Sequence, residues 1–252
     1  MKNEIVELFN KIVSARHGIA LTGAGVSTLS GIRDFRGKNG LYKDMDAEKI
    51  FDIDYFDQDP SFYYKAAGSF IYNLHEKQAS VVHTTLGILE NKGFLKALIT
   101  QNIDLLHQKG GSRRVIEIHG SPAIHYCRYC GRPSEKVMDF DAVAALVNAG
   151  EVPRCAHCNR VLKPGITFFG ESLPAKALAD AESEARRADL MLVLGTSLTV
   201  YPAASIPQLT LRSGGEIVIV NDMETPLDRY ASLRFTDLGE VFEGLAELLR
   251  AS

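Results

Sequence analysis

Five short apolar runs set the tightest limit on how this chain of 252 residues can fold. They are Gly18-Ile19-Ala20-Leu21-Thr22, Ala97-Leu98-Ile99-Thr100, Val115-Ile116-Glu117-Ile118, Leu190-Met191-Leu192-Val193-Leu194 and Ile217-Val218-Ile219-Val220, with helical stretches between them. Strands that are apolar at nearly every position are buried on both faces, which is the pattern of a parallel sheet covered by helices. The runs end in Gly23, Gln101, His119, Gly195 and Asn221. Open α/β sheets hold ligands beyond the carboxyl ends of their strands, so these five positions mark the expected site. Ahead of the first strand, Ile5, Leu8, Phe9, Ile12 and Val13 fall at helical spacing and predict an amphipathic helix before residue 17.

The four cysteines predict a second element. Cys127-x-x-Cys130 and Cys155-x-x-Cys158 are two knuckles a couple of dozen residues apart. Each pair supplies adjacent thiolates from one tight turn, and four thiolates close a tetrahedron around Zn²⁺. Gly131, Pro153 and Asn159 are turn formers beside the knuckles. With four ligands no position stays open for water or substrate, so the zinc is expected to be structural. A disulfide reading is weaker in a cytosolic chain. The stretch from about residue 121 to 165 therefore reads as a zinc module inserted between the third and fourth strands.

Length and charge narrow the remaining classes. A chain of this size buries about three-quarters of its unfolded surface, so no disulfide staples are needed. No apolar run approaches the roughly 20 residues of a membrane span, and the acidic start of the chain is unlike a secretion signal, so the expected location is cytoplasmic. A net charge of −3 gives no bulk attraction for nucleic acid.

The strand-end residues carry the chemistry. Gly23-x-Gly25 lets a backbone approach a pyrophosphate, although Thr28 stands where the dinucleotide fingerprint has its third glycine and a plain tight turn explains the pair as well. Asp34 and Arg36 are either ligand contacts or an exposed pair. Gln101-Asn102-Ile103-Asp104 offers groups that bond a ribose or a carboxamide, or is simply a polar loop. Gly195-Thr196-Ser197 and Asn221-Asp222 divide in the same way between phosphate and ribose binding and ordinary loop chemistry. His119 sits in the predicted crevice, where an imidazole accepts a proton near neutral pH, or else serves a structural role. His125 and His157 read as neighbours of the zinc module and not as ligands.

Taken together, these segments resemble the sirtuin family of NAD-dependent protein deacylases, in the form of a bacterial-type protein deacetylase. The matching blocks are Gly23-Ala24-Gly25-Val26-Ser27, Gly31-Ile32-Arg33-Asp34-Phe35-Arg36, Thr100-Gln101-Asn102-Ile103-Asp104, Ile118-His119-Gly120, the two cysteine pairs, Phe168-Phe169-Gly170-Glu171, Gly195-Thr196-Ser197 and Val220-Asn221, and they span nearly the whole chain. The resemblance implies an α/β fold: a Rossmann-like parallel sheet with helices on both faces, plus a smaller domain made of an inserted zinc ribbon and a helical module. Residues 1–36, 76–120 and 166–252 would form the NAD-binding part, 37–75 the helical module and 121–165 the zinc ribbon.

By the same resemblance NAD⁺ is the co-substrate and one structural Zn²⁺ is bound by Cys127, Cys130, Cys155 and Cys158. Ala24, Thr28, Phe35 and Arg36 would contact NAD⁺, with Phe35 as a lid. Gln101, Asn102, Ile103 and Asp104 would frame the ribose and nicotinamide pocket. Gly195, Thr196, Ser197, Asn221, Met223 and Leu238 would hold the phosphates and the adenosine end. His119 and Asn102 form the implied catalytic set, with His119 as general base on the ribose hydroxyls once the acyl oxygen has displaced nicotinamide. Thr167 and Phe168 would receive the acyl-lysine peptide as an added strand. The implied products are free lysine, nicotinamide and O-acetyl-ADP-ribose, made by a monomer with no membrane or nucleic-acid partner. An NAD-dependent ADP-ribosyltransferase and a non-catalytic nucleotide-binding module are the alternatives, and neither requires His119 as a base.

Two departures from the family pattern carry consequences. Arg33 stands where the family often has Pro, which removes a fixed φ ahead of Asp34. The Tyr-x-x-Arg pair of members that prefer acidic acyl groups corresponds here to Tyr63-Tyr64-Lys65-Ala66, without the arginine. A carboxylate left unpaired in an apolar pocket is costly, so neutral acyl groups such as acetyl are expected, with Lys65, one residue out of register, as a rescue.

Overall fold

In the computed structural model, residues 2–34, 40, 47–68, 71–130 and 138–251 are described. Helix α1 (Lys2–Ser14) leads into β1 (Gly18–Thr22) and a 3₁₀ helix over Ala24–Ser30. The short helices α2 (Ala47–Ile50), α3 (Ile53–Gln58) and α4 (Pro60–Ala67) follow, then α5 (Val81–Asn91), β2 (Leu95–Thr100), α6 (Leu106–Lys109) and β3 (Val115–Glu117). The insertion contains β4 (Gly120–Tyr126), β5 (Met138–Asp139), α7 (Phe140–Asn148) and β6 (Lys163–Ile166). The chain closes with α8 (Ala175–Arg187), β7 (Leu190–Leu194), α9 (Ile206–Arg212), β8 (Glu216–Val220), β9 (Ala231–Phe235) and α10 (Leu238–Ala251).

All five apolar runs lie in one six-stranded parallel sheet of order β3-β2-β1-β7-β8-β9. On one face, Ile5, Leu8 and Ile12 of α1 pack with α5 and with Val241, Phe242, Leu245 and Leu249 of α10. On the other, Ala181 and Ala185 of α8 and Ile206 at the start of α9 pack over the alternate side chains of the same strands. The sequence reading did not include β9. Its Ala231, Leu233 and Phe235 alternate with Ser232 and Arg234, because an edge strand with one neighbour needs no continuous apolar run. The third run is shorter than expected: β3 stops at Glu117, and Ile118 and His119 form the turn into β4.

That turn joins the large sheet to a small antiparallel sheet of order β5-β4-β6. Gly120 has φ 74°, and a Cβ there would lie 2.2 Å from the Gly165 carbonyl oxygen, so only glycine lets β4 start directly after His119. The small sheet and the helical segment share one core. Phe56, Tyr63, Tyr64 and Tyr72 pack against Phe140, Val143 and Val147 of α7 and against Phe168. The Phe56 and Phe168 rings meet edge-on at 5.4 Å, and the Tyr64 hydroxyl donates to the Leu162 carbonyl at 2.5 Å. The aromatic-rich stretch thus forms the second half of the smaller domain. Among the described residues no helix is long and apolar enough to cross a membrane.

Candidate active site

The strand order reverses between β1 and β7, and the crevice beyond their carboxyl ends is built from glycines. Gly23 N–H donates to the Leu194 carbonyl, Gly25 N–H to the Gly195 carbonyl and Gly195 N–H to the Val220 carbonyl, each at 2.9 Å. A Cβ on Gly23 would lie 2.7 Å from the Gly195 carbonyl oxygen, and one on Gly25 would lie 2.7 Å from Gly195 Cα. The Gly-x-Gly spacing is therefore fixed first by the approach of two loops to each other. That approach leaves an open cradle at the switch point, where α/β sheets take nucleotides.

Two cavities meet there. The smaller, about 110 Å³, is the more polar of the two and lies among Gly25, Gly195, Thr196, Ser197, Asn221 and Met223. The larger, about 670 Å³, runs between the sheet and the smaller domain, past Ile32, Phe51, Ile71, Ile103, Thr167 and Phe168. Ala24, Gln101, Asn102 and His119 line both. The His119 Nδ1 lies 2.8 Å from the Gln101 carbonyl oxygen, which can only accept, so Nδ1 carries the proton and Nε2 keeps its lone pair. Burial lowers the His119 pKa, and the bond to Gln101 opposes that shift. The ring is therefore a neutral base at the junction of a polar and an apolar chamber.

Under the junction lies a buried polar network. Gln101 Nε2 donates to Thr196 Oγ1 at 3.0 Å, linking the ends of β2 and β7. Asn102 donates through Nδ2 to the Gly23 carbonyl at 3.1 Å and to Ser27 Oγ at 3.2 Å, which commits both N–H groups to the fold. Ser27 Oγ donates to Asp104 Oδ2 at 2.6 Å, and Asp104 Oδ1 accepts from Leu106 N–H at 2.9 Å. His83 and His107 pack below at a ring distance of 4.7 Å. Burial, the larger cause, and the charge of His83 push His107 down to about 3, and burial lowers His83 despite the pull of Asp104. Both are neutral near pH 7, so no cation lies beneath Asp104.

The wall opposite the sheet is the turn after β6. Thr167 N–H donates to the His119 carbonyl at 2.8 Å, tying this wall to the base. Phe168 is 1% exposed and forms the floor of the larger cavity, whereas Phe169 is 44% exposed at its rim. The sequence reading named Thr167 and Phe168 for peptide contact. Glu171, which the sequence offers only as part of a matching block without a role, and Ser172, Tyr201 and Ile71 also line the larger cavity. Lys163 is fully buried beneath this turn, with Nζ 2.8 Å from Glu171 Oε2. Burial lowers its pKa, and Glu171 opposes that shift. A Lys-Pro-Gly strand start gives no sign in the sequence that its cation faces inward.

Not every expected residue reaches the cavities. Thr28 is exposed, donates its hydroxyl to the Gly25 carbonyl at 2.9 Å and lines neither cavity. Leu238 opens α10, packs on the helical core and lines neither. Lys65 is exposed and also outside both. Phe35 and Arg36 lie outside the described residues. Arg33 lines the larger cavity and donates to the Gly40 carbonyl at 3.1 Å.

The four cysteines converge at the far end of the small sheet. Their sulfurs all lie within 4.8 Å of one another, with Cys127 to Cys158 at 3.4 Å and Cys130 to Cys155 at 3.9 Å. Tetrahedral Zn²⁺ with sulfur at about 2.3 Å needs sulfur-to-sulfur edges of about 3.8 Å, so the donor set fits one zinc ion. Tyr129 N–H points at Cys127 Sγ from 3.5 Å, as a knuckle requires. His157 is exposed, and His125 is buried against the Tyr72 hydroxyl at 2.8 Å, so neither joins the cluster.

Comparison with known proteins gives one answer. A family model described as the Sir2 family matches residues 23–202. An NAD-dependent protein deacetylase of Thermotoga maritima is 46% identical over 232 residues, which is 92% of this chain and 91% of that protein. A solved Sir2 structure with a deacetylated p53 peptide and 3'-O-acetyl ADP ribose superposes with TM-score 0.90 at 43% identity, covering 97% of this chain and 98% of the other. A Sir2 structure with a p53 peptide and NAD⁺ gives TM-score 0.88 at 42% identity over the whole of both chains.

Proposed function

The chain belongs to the Sir2 family, and on that premise we propose how its own residues carry out NAD-dependent protein deacetylation. The protein removes acetyl groups from lysine, consuming NAD⁺ and one water, and releases nicotinamide and O-acetyl-ADP-ribose. Bound NAD⁺ supplies the ADP-ribosyl group that accepts the acetyl group, with nicotinamide as its leaving group. Gly195, Thr196, Ser197, Asn221 and Met223 hold the phosphate and adenosine end in the polar cavity, with Ala24 at its mouth. Gln101, Asn102, Ile103 and Asp104 frame the ribose and the carboxamide, and the family resemblance assigns Phe35 and Arg36 to the cofactor as well.

His119 Nε2 takes the proton of a ribose hydroxyl, and the Gln101 carbonyl on Nδ1–H stabilises the imidazolium that results. The apolar walls at Ile32, Phe51, Ile103 and Phe168 keep water from the reacting carbon. One observation carries this reading: a neutral histidine, its Nε2 unprotonated, stands where the two cavities join. The peptide enters over Thr167 and Phe168. Residues 1–36, 76–120 and 166–252 act as the NAD-binding part, with 37–75 and 121–165 as the helical and zinc-ribbon modules that close the cleft. The enzyme works as a cytoplasmic monomer on acetyl-lysine peptides and not on nucleic acid, in keeping with its net charge of −3.

The test is to incubate the protein with NAD⁺ and an acetyl-lysine peptide and follow products by mass spectrometry. Deacetylated peptide, nicotinamide and O-acetyl-ADP-ribose are expected in equal amounts. NAD⁺ consumption that leaves the peptide acetylated and ADP-ribose on protein would overturn the reading in favour of ADP-ribosyl transfer.

A further inference from the structure

The turn after β6 is held by an ion pair that the chemistry above does not use. Lys163 has a side chain only 1% exposed, and its three N–H groups are all committed. They meet Glu171 Oε2 at 2.8 Å, the Ile166 carbonyl at 2.7 Å and the Pro164 carbonyl at 3.2 Å. The ammonium also lies 4.1 Å from the centre of the Phe168 ring. Glu171 Oε2 accepts a second bond, from Phe168 N–H at 2.9 Å. The lysine thus grips the turn where it leaves β6, and the glutamate grips it at Phe168.

Two further bonds show what the grip holds in place. Thr167 N–H is bonded to the His119 carbonyl, and Phe169 is bonded to the helical segment through the Phe51 carbonyl at 2.7 Å and Ile53 N–H at 3.1 Å. The turn is therefore the meeting point of the base, the helical segment and the small sheet. Its side chains at Thr167, Phe168, Phe169 and Glu171 line the larger cavity. A buried ion pair is weak evidence for stability, because well-packed apolar residues of like volume often serve as well. Its geometry here fixes the height of one cavity wall.

We infer that Lys163 and Glu171 are a positioning pair for the acetyl-lysine peptide: they set the wall over which it binds, and their removal weakens peptide binding while leaving untouched the smaller cavity assigned to the phosphate and adenosine end. The inference rests on the deacetylase reading. The test compares Lys163→Met, Glu171→Gln and the double variant with wild type, measuring KM for an acetyl-lysine peptide and for NAD⁺, zinc content and the unfolding midpoint. Each single variant is expected to raise the peptide KM by about tenfold or more, since small misplacements of a binding wall are costly. The NAD⁺ KM and zinc content stay at wild-type values. In the double variant no buried charge is left alone, so the midpoint recovers toward wild type while the peptide KM stays high. A lowered midpoint with a wild-type peptide KM in both single variants would mean the pair is merely structural and would overturn the inference. Absence of wild-type turnover overturns the deacetylase reading and this inference together, whereas wild-type turnover with unchanged peptide KM in the variants overturns the pair alone.

Discussion

Replacing His107 with Gln should make the fold markedly more resistant to acid. The ring is 1% exposed, and its Nε2 lies 2.9 Å from Thr22 Oγ1. Thr22 Oγ1 gives its own proton to Thr100 Oγ1 at 2.8 Å, so Nε2 is the donor toward Thr22 and the proton added by acid must sit on Nδ1. That atom is buried without a hydrogen-bond partner. Burial, reinforced by His83, accordingly depresses the pKa from 6.5 to about 3. The folded pKa is below the unfolded one, so as pH falls the unfolded chain takes up the proton first. Stability from this group is complete above 6.5 and is lost on acidification down to about 3.

The loss follows the slope of about 1.4 kcal/mol per pH unit and reaches about 3 kcal/mol at pH 4.5. Against a total of roughly 5–15 kcal/mol that is a large share. A Gln amide keeps a donor toward Thr22 and has nothing to titrate. Urea denaturation of both proteins at pH 7.5 and 4.5 reads the difference, and any acid release of zinc is common to both. The fall in unfolding free energy between the two pH values should be smaller by about 3 kcal/mol in the variant. Equal falls in the two proteins would refute the argument that His107 is held neutral.

The zinc cluster and the acyl pocket give further expectations. Complete removal of zinc, verified by metal analysis, should abolish deacetylation, because the cysteines close the end of the small sheet that carries the β6 turn; metal-free protein that still deacetylates would contradict this. Acetyl-lysine peptides should be turned over at least about tenfold more efficiently than succinyl-lysine peptides, since an unpaired carboxylate is costly to bury. The structure withdraws Lys65 as a rescue, because that side chain is exposed and outside the cavity, and Tyr63 is buried in the aromatic core. Equal efficiencies would show that another cation, Arg33 first, receives the acidic group.

The parts of this molecule that rest on local spacing were readable from its sequence. Buried strands announce themselves by unbroken apolar runs, and ligating cysteines by their pairing, so the sheet and the cysteine cluster stand where expected, and the strand-end residues Gly23, Gln101, His119, Gly195 and Asn221 line one cavity. The alternation of β9 escaped because Arg234 and Ser232 interrupt it, as an edge strand permits. Residues 140–148 form a helix in what read simply as a zinc ribbon, because Phe140 and Val143 find their core on the distant helices α3 and α4. Lys163 and Glu171 are far enough apart in sequence to look like surface charges, and only the fold makes them a pair. The protonation state of His119 was likewise hidden, since it depends on a carbonyl from the neighbouring strand end. Gly23 and Gly25 fit either a ligand approach or a plain tight turn by sequence, and neither reading contains their first constraint, Gly195, a residue of another strand loop.

The central claim is that His119 is the base and does little to hold the cofactor. It is tested most directly by His119→Ala, measuring NAD⁺ affinity by calorimetry and deacetylation of an acetyl-lysine peptide on the same preparation. Because the phosphate and adenosine end is assigned to Gly195, Thr196, Ser197, Asn221 and Met223, which leaves His119 only the ribose, NAD⁺ should bind as to wild type, while deacetylation falls by about 10²-fold or more, the scale of a lost general base. A variant that binds NAD⁺ normally and still deacetylates at the wild-type rate would contradict the account.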